Sequence, residues 1–421
     1  MTVSPFWTNF PPCASRGVFR RVVGHACQTR YTAPHNSAPI RLLLVRTDSA
    51  PLFPDAAHRP SSRDIPSLDG LRAFSIGCVI LGHASQGHAT PLVRTILSRL
   101  SQFGVCVFFV ISGYLITTLL WREAKARDAI SLPRFYLRRT FRIFPPYYSY
   151  LIVVAIGVAV NVWSMPPNAR WWPALTYTTN LFSTHFWLLS HGWSLSIEEQ
   201  FYVTWPIILA MCIRRSGLIV GAQAGYRISF AVLLLFPVLR VAVYLLTRDG
   251  IFTETLIFDY VAAGSALALF ESYSQWNRGR SILAAIMKSR ATPLAGLLAL
   301  VLHLSFASGM RWTFAIGIVL SIPAEALLIA LFIAWCVRNP QHVIGRILNM
   351  RMLRVIGVGS YSLYLWQQMF FGVESPFALR WSFFVRLVGA GLCAAASYWL
   401  VERPSLRLRA RIERRVFASG V

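Results

Sequence analysis

The chain has 421 residues, of which 55% are apolar and only 14% are charged. A soluble domain carries about 25% charged residues, so this composition excludes a soluble globular protein and indicates a polytopic protein of the lipid bilayer. The net charge is +25, but the basic residues form short clusters between apolar runs rather than one hydrophilic surface, so nucleic acid is not a predicted partner.

The first 63 residues differ in composition from the rest of the chain. They are rich in Pro, Ser and Arg and contain no acidic residue before Asp48. Arginines interrupt every candidate apolar stretch, so none reaches the roughly 7–15 residues of a secretory signal. We predict a disordered basic extension over 1–63, with a transit peptide or a misassigned upstream start as the alternatives.

From residue 64 to 405, apolar windows of about 20 residues recur, each long enough to cross a hydrocarbon core of about 30 Å as a helix. This pattern predicts an all-α membrane domain of about ten transmembrane helices, followed by a basic tail over 406–421. A further aromatic stretch, 171–189, is predicted to be re-entrant or interfacial. The predicted spans are 70–89, 101–121, 144–163, 194–213, 227–247, 254–271, 291–308, 313–336, 355–373 and 382–401.

The basic residues between these spans predict the orientation of the chain. With ten spans, 24 Lys and Arg residues, including those of the tail, fall on one side of the membrane and 6 fall on the other. Because cytoplasmic loops are enriched in Lys and Arg, both termini are predicted to be cytoplasmic. An odd number of spans would scramble this alternation.

The first span carries the pair Arg72 and His83. Eleven residues bring an α-helix round to within about 20° of its starting direction and about 16 Å further along its axis, so both side chains are predicted to face one cavity. A neutral imidazole in such a pocket could act as a base. The structural alternative is a packing histidine, with an arginine that snorkels to the membrane surface.

The second cluster, residues 135–148, precedes the third span on the predicted cytoplasmic side. Arg139 and Arg142 lie one helical turn apart, so two guanidinium groups can converge on one polyphosphate, and Arg138 is a further candidate in the same turn. The alternative is that these arginines only set the membrane orientation.

The third cluster, residues 191–206, enters the fourth span from the predicted outer side, opposite the arginines. Ser196, Glu198 and Glu199 are typical of a helix cap with acids in the first turn. Alternatively, the carboxylates bind sugar hydroxyls or orient a histidine. Adjacent helical positions point about 100° apart, so we predict that Glu199, one turn after Ser196, faces the cavity and that Glu198 contacts another helix or the lipid interface.

The remaining candidate residues give weaker signals. The 7 cysteines contain no C-x-x-C pair, so neither a disulfide framework nor a metal site is predicted. His185 and His191 fall on the predicted outer loop and are expected to tolerate substitution better than His83. Four further charges within spans are expected to pair with one another or to line the cavity: Arg240, Asp259, Glu325 and Arg386.

Six segments in register give the chain a specific resemblance. It resembles the membrane-bound acyltransferase family 3, whose members O-acylate surface polysaccharides, peptidoglycan, lipo-oligosaccharides and macrolides. The resemblance covers about residues 65–415. The segments are SLDGLRAFSIGCVILGHA (67–84), GVCVFFVISGYLIT (104–117), FYLRRTFRIFPPYY (135–148), WSLSIEEQFYVTWP (193–206), GSYSLYLWQQ (359–368) and YWLVERPSLRLR (398–409).

The resemblance implies an enzyme of the bacterial inner membrane that moves an acyl group, expected to be acetyl, from cytoplasmic acyl-CoA to a hydroxyl of a carbohydrate or glycolipid. It implies no permanently bound cofactor. The site residues it implies are His83, Arg72, Glu199, Ser196 and Glu198 for catalysis, and Arg72, Arg138, Arg139 and Arg142 for the donor.

Two departures from the family pattern affect these expectations. The family commonly has His where this chain has Gln367, which we interpret as a residue that orients a ligand. The chain also leaves no room for the extracytoplasmic hydrolase domain of some members, so the membrane domain is expected to complete the transfer alone. A non-enzymatic transporter or flippase is the alternative function, although the sequence contains no internal repeat of matched halves.

Overall fold

The computed structural model describes residues 65–85, 90–247, 256–274, 285–286, 288–289, 291–305, 311–372, 375, 377 and 381–417, without the side chains of 247, 273–274 and 311–318. Within these ranges the regular structure is entirely helical, which confirms the predicted all-α class. The predicted disordered extension, 1–63, lies outside the described residues.

The helices, numbered in chain order, begin with α1, which carries the predicted Arg–His pair. A π-helical turn, Tyr398–Glu402, joins α13 to α14. The α-helices are α1 Leu68–Ala84, α2 Pro91–Arg127, α3 Leu132–Ala159, α4 Trp172–Leu175, α5 Trp187–Ser190, α6 Gly192–Thr247, α7 Phe258–Ser274, α8 Leu294–Ser305, α9 Arg311–Arg338, α10 Val343–Leu348, α11 Arg351–Val358, α12 Ser360–Phe370, α13 Phe383–Ser397 and α14 Arg403–Phe417.

Five helical stretches among the described residues are long and apolar enough to cross a membrane, which supports an integral membrane protein. Helix α1, with 17 residues, is shorter than these stretches. The five are Pro91–Arg127, Leu132–Ala159, Trp187–Leu246, Val319–Arg338 and Phe383–Phe417.

Helix α6 contains two of the predicted spans, and the chain reverses between them. Gly217 adopts φ 76° and ψ 172°, outside the helical region, and glycine reaches this backbone conformation without steric cost. A Cβ on Gly221 would lie 2.5 Å from the Cα of Ile213. The predicted spans 194–213 and 227–247 are therefore two helical segments that pack against each other next to this turn.

The aromatic segment between α3 and α6 packs into the helical core. Tyrosines of α3 hold it: the Tyr147 hydroxyl donates to the carbonyl of Ala174 at 2.9 Å, and the Tyr150 hydroxyl donates to the carbonyl of Leu188 at 2.7 Å. Asn180 within the segment is only 1% exposed. The segment thus forms a fixed wall beside the first turns of α6.

Helices α2 and α7 approach each other so closely that backbone meets backbone. A Cβ on Gly113 of α2 would overlap the carbonyl oxygen of Val261, and a Cβ on Gly264 of α7 would overlap that of Val110. Small residues allow such close approach between membrane helices, where van der Waals packing drives association.

We predict that Gly113→Ala destabilises the protein by about 1–3 kcal/mol, because the new methyl group must displace the α7 backbone. The measurement is the thermal unfolding of the purified protein in detergent. Gly391→Ala on α13 is the matched control, because no atom lies within 4 Å of the added Cβ. Equal melting temperatures for the wild type and Gly113→Ala would contradict the close approach.

Candidate active site

A cavity of about 570 Å³ lies between α1, α2, the aromatic segment, α6, α7, α8, α9 and α12. His83 of α1 lines it, as do His191, which directly precedes α6, and Tyr364 of α12. The predicted base therefore faces an internal space large enough for a substrate, which its sequence position alone could not establish.

A chain of side-chain amides fixes the His83 ring. His83 Nδ1 lies 3.0 Å from Oε1 of Gln367, whose Nε2 donates to Oε1 of Gln368 at 3.2 Å. Gln368 in turn donates through Nε2 to the backbone carbonyl of Trp187 at 2.9 Å. The Trp187 ring packs edge-on against His83, with the ring centroids 5.4 Å apart.

This series of hydrogen-bonded amides selects one tautomer of His83. The carbonyl of Trp187 can only accept, so it fixes the direction of each amide and leaves the Gln367 oxygen as the acceptor toward Nδ1. Nδ1 must then carry the proton, and Nε2 keeps its lone pair. Gln367 thus keeps the proton of His83 on Nδ1 and leaves Nε2 as the basic nitrogen, so a glutamine can serve at this position.

Three arginines gather near the other end of α1, about 16 Å from His83 by helix rise. Arg72 bonds to Asp69 at 3.2 Å, and the Arg139 guanidinium lies 4.8 Å from the centroid of the Tyr202 ring. Arg142 lies within electrostatic range of both arginines. Three partly buried cations that repel one another form a site suited to a polyanion.

The two glutamates of α6 lie beside these arginines rather than opposite them, so the predicted location is wrong. Glu198 accepts a hydrogen bond from Ser112 of α2 at 2.8 Å and interacts electrostatically with Arg72. Glu199 interacts electrostatically with Arg139. Neither glutamate lines the His83 cavity. Glu198 does interact electrostatically with Tyr364, which is part of the cavity wall.

Ser196 contacts Thr179, a residue of the cavity wall. Its hydroxyl donates to the carbonyl of Gly192 at 2.9 Å and lies 2.8 Å from the hydroxyl of Thr179. Ser196 is fully buried. Its visible role is to attach the aromatic segment to α6.

Arg138 points away from the other arginines. Its Nε donates to Oε1 of Glu413 at 2.9 Å, and Arg134 lies 3.9 Å from the same oxygen. These contacts connect α3 to α14, so the predicted basic tail includes a helix that is attached to the membrane domain.

The remaining intramembrane charges pair in two ways. Arg240 binds Asp259 at 3.1 Å, which confirms a predicted pairing. Glu325 instead contacts His303 at 3.0 Å. Ligand atoms of Cys106, His303 and Glu325 all lie within 4.8 Å of one another. Cys106, Arg240, His303 and Glu325 also line the cavity. Arg386 lies 5.3 Å from the centroid of the Phe371 ring.

The sequence did not predict that His191 is buried in the cavity wall. We expected it on an outer loop, yet it is only 5% exposed and lines the His83 cavity. His185, expected on the same loop, is exposed. No local sequence signal separated His191 from the exposed His185, because both lie between the third and fourth predicted spans.

Comparison with known proteins identifies the family. A profile described as an acyltransferase domain matches residues 65–402. The chain belongs to this acyltransferase family. The match covers the arginine cluster, the cavity histidines and Gln367, so the site just described lies wholly within the acyltransferase domain.

Curated relatives of this acyltransferase come from bacteria. Peptidoglycan O-acetyltransferase OatA of Listeria monocytogenes is 27% identical over 374 residues, covering 82% of this chain and 56% of the relative. YrhL of Bacillus subtilis, provisionally named a peptidoglycan O-acetyltransferase, is 27% identical over 370 residues, covering 81% of this chain and 55% of the relative. The chain thus spans about half the length of these relatives. No solved structure gives a significant match to it.

We predict that Gln367→Leu lowers kcat for acyl transfer by about tenfold or more, because it removes the acceptor that fixes the His83 tautomer. The KM for the donor should change little, since the arginine cluster is untouched. Steady-state kinetics of the purified protein measure both parameters.

Gln367→His is the conservative control. A histidine nitrogen can accept a hydrogen bond from Nδ1–H of His83, so this variant should keep more activity than Gln367→Leu. Full activity in the leucine variant would refute an orienting role for Gln367.

Proposed function

We propose that this protein is a membrane O-acyltransferase that moves an acetyl group from cytoplasmic acetyl-CoA to a carbohydrate hydroxyl on the other side of the membrane. One observation carries the proposal: a single helix, α1, presents Arg72 to the arginine cluster and His83 to the cavity described above. A site for a polyanion and a site for a base are thereby held at a fixed separation.

The proposed topology assigns the two ends of α1 to opposite sides of the membrane. Ten spans with both termini in the cytoplasm would place the arginine cluster at the cytoplasmic face, where acyl-CoA is made, and His83 further toward the outside. The relatives are bacterial proteins, which supports the inner membrane as the location.

In the proposed complex, Arg72, Arg139 and Arg142 bind the phosphates of the donor. Guanidinium groups form paired hydrogen bonds with phosphate oxygens. Glu198 and Glu199 orient these arginines, because both carboxylates lie within electrostatic range of them. The pantetheine arm then extends along α1 toward the cavity and brings the thioester to His83.

The proposed reaction is a direct transfer. His83 Nε2 takes the proton from the acceptor hydroxyl while the hydroxyl oxygen attacks the thioester carbonyl carbon. The carbon–sulfur bond breaks, and the CoA thiolate leaves and takes the proton from the imidazolium. The products are an acetyl ester of the acceptor and free CoA, and His83 regains its neutral form.

The acceptor class rests on the relatives and on the lining of the cavity. OatA of Listeria monocytogenes is named as a peptidoglycan O-acetyltransferase, and the aromatic segment lines the cavity with neutral polar side chains, among them Thr179, Asn180 and Thr184. Hydroxyl and amide groups are suited to hydrogen-bond a sugar. Peptidoglycan or another surface carbohydrate is therefore the proposed acceptor.

We predict that His83→Ala abolishes acetyl transfer, because it removes the base. Cells that produce the protein should carry base-labile acetate in their surface carbohydrate fraction, and cells that produce His83→Ala should not. An apolar substitution within a helix favours membrane insertion, so the amount of protein in the membrane should be unchanged. Retention of more than about a tenth of the wild-type acetate would reject His83 as the base.

We predict that Arg142→Ala raises the KM for acetyl-CoA by about 10-fold to 150-fold, the equivalent of about 1.5–3 kcal/mol for a charge-assisted hydrogen bond. Arg142→Lys should restore binding only in part, because an ammonium group cannot form the paired contact. Initial rates of CoA release at varied acetyl-CoA concentrations measure the effect.

Arg138→Ala is the matched comparison on the same helix. Its guanidinium bonds to Glu413, so its effect on the KM should be smaller than that of Arg142→Ala. Equal effects would show that the arginines act together as orientation signals, which reporter fusions to the loop between α2 and α3 would reveal as a change of topology.

A further inference from the structure

His191 is a buried imidazole whose ring nitrogens have no hydrogen-bond partner among the described residues. It is 5% exposed, and neither Nδ1 nor Nε2 has a partner within the described part of the chain. Buried polar groups are nearly always hydrogen-bonded, so each exception requires an explanation. Because His191 lines the His83 cavity, a bound ligand is the direct source of the missing partners.

Packing holds the His191 ring in place. The Tyr150 ring lies edge-on to it at a centroid distance of 5.2 Å, and the Tyr364 ring lies at 5.6 Å. The backbone carbonyl of His191 accepts a hydrogen bond from the Tyr364 hydroxyl at 3.2 Å. The ring is therefore positioned without using either nitrogen, and both remain available to a ligand.

The surroundings of His191 indicate which substrate it meets. Ser190, the residue before His191, lines the cavity, and the aromatic segment adds Asn180 and Thr184. These side chains are neutral donors and acceptors, whereas the arginines suited to the donor phosphates lie outside this lining. His191 and His83 line the same cavity, and His191 interacts electrostatically with His83.

We propose that His191 binds the carbohydrate acceptor through hydrogen bonds to its hydroxyl groups and so holds the reacting hydroxyl at His83. In the neutral ring one nitrogen donates and the other accepts, which matches two neighbouring hydroxyls of a sugar. This inference rests on the proposed acetyl transfer and names the residue that recognises the acceptor.

The test is His191→Phe, which keeps an aromatic ring between Tyr150 and Tyr364 but removes both nitrogens. Cells that produce the variant should lose about tenfold or more of the base-labile acetate in their surface carbohydrate fraction. Radiolabelled acetyl-CoA should bind the purified variant within about twofold of the wild-type Kd, because the donor site is separate. The melting temperature should not fall, since neither ring nitrogen bonds to a described residue.

Two further variants complete the test. His191→Gln retains a donor and an acceptor and should keep more acetylation than His191→Phe; if the phenylalanine variant fails to fold, the glutamine variant decides. His185→Ala, at an exposed position of the same segment, should leave acetylation unchanged. Wild-type acetylation in His191→Phe would overturn the inference, as would an equal loss of acetyl-CoA binding.

A failure of the underlying function gives a different result. If the wild-type protein adds no acetate to the carbohydrate fraction and binds no acetyl-CoA, the proposed transfer is wrong before His191 is considered. If the wild type acetylates and His191→Phe acetylates equally, only the role of His191 is wrong.

Discussion

The packing of helix α1 is the constraint on which the site depends. A rigid helix fixes the separation of Arg72 and His83 at about 16 Å, but the position of that helix is set by its neighbours. A Cβ on Gly70 would overlap the backbone of Leu348, so α1 meets the end of α10 with no side chain between them. Any shift of α1 would move the arginine and the histidine together, which couples the two ends of the proposed reaction.

Burial of polar groups explains the rest of the site. Where water is scarce, each donor and acceptor needs a partner within the protein, and the backbone carbonyl of Trp187, through Gln368 and Gln367, supplies one to His83. The same rule makes His191 informative, because its two unpartnered nitrogens lie in a protein whose other cavity histidines are bonded through at least one nitrogen. A polar network thus provides both the orientation of the base and a sign of where substrate binds.

Charge divides the site into two regions. Arginines and glutamates gather at one end of α1, whereas the wall contributed by the aromatic segment, near His191, is neutral and rich in hydroxyl and amide groups. Such a division suits a reaction with one polyanionic and one neutral substrate, since each finds complementary chemistry only at its own end. Arg240 also lines the cavity, and its ion pair with Asp259 cancels the charge of its guanidinium group.

Local sequence determined the helical class, the membrane setting and the shared face of Arg72 and His83, because apolar run length and the helical period are properties of neighbouring residues. The tertiary structure alone decided which partner each side chain meets. Gln367 reaches His83 across 284 residues, and Arg138 reaches Glu413 across 275. Contacts of that span depend on how distant helices pack, which no local pattern records; for the same reason the burial of His191 and the place of Glu198 beside the arginines emerged only from the fold.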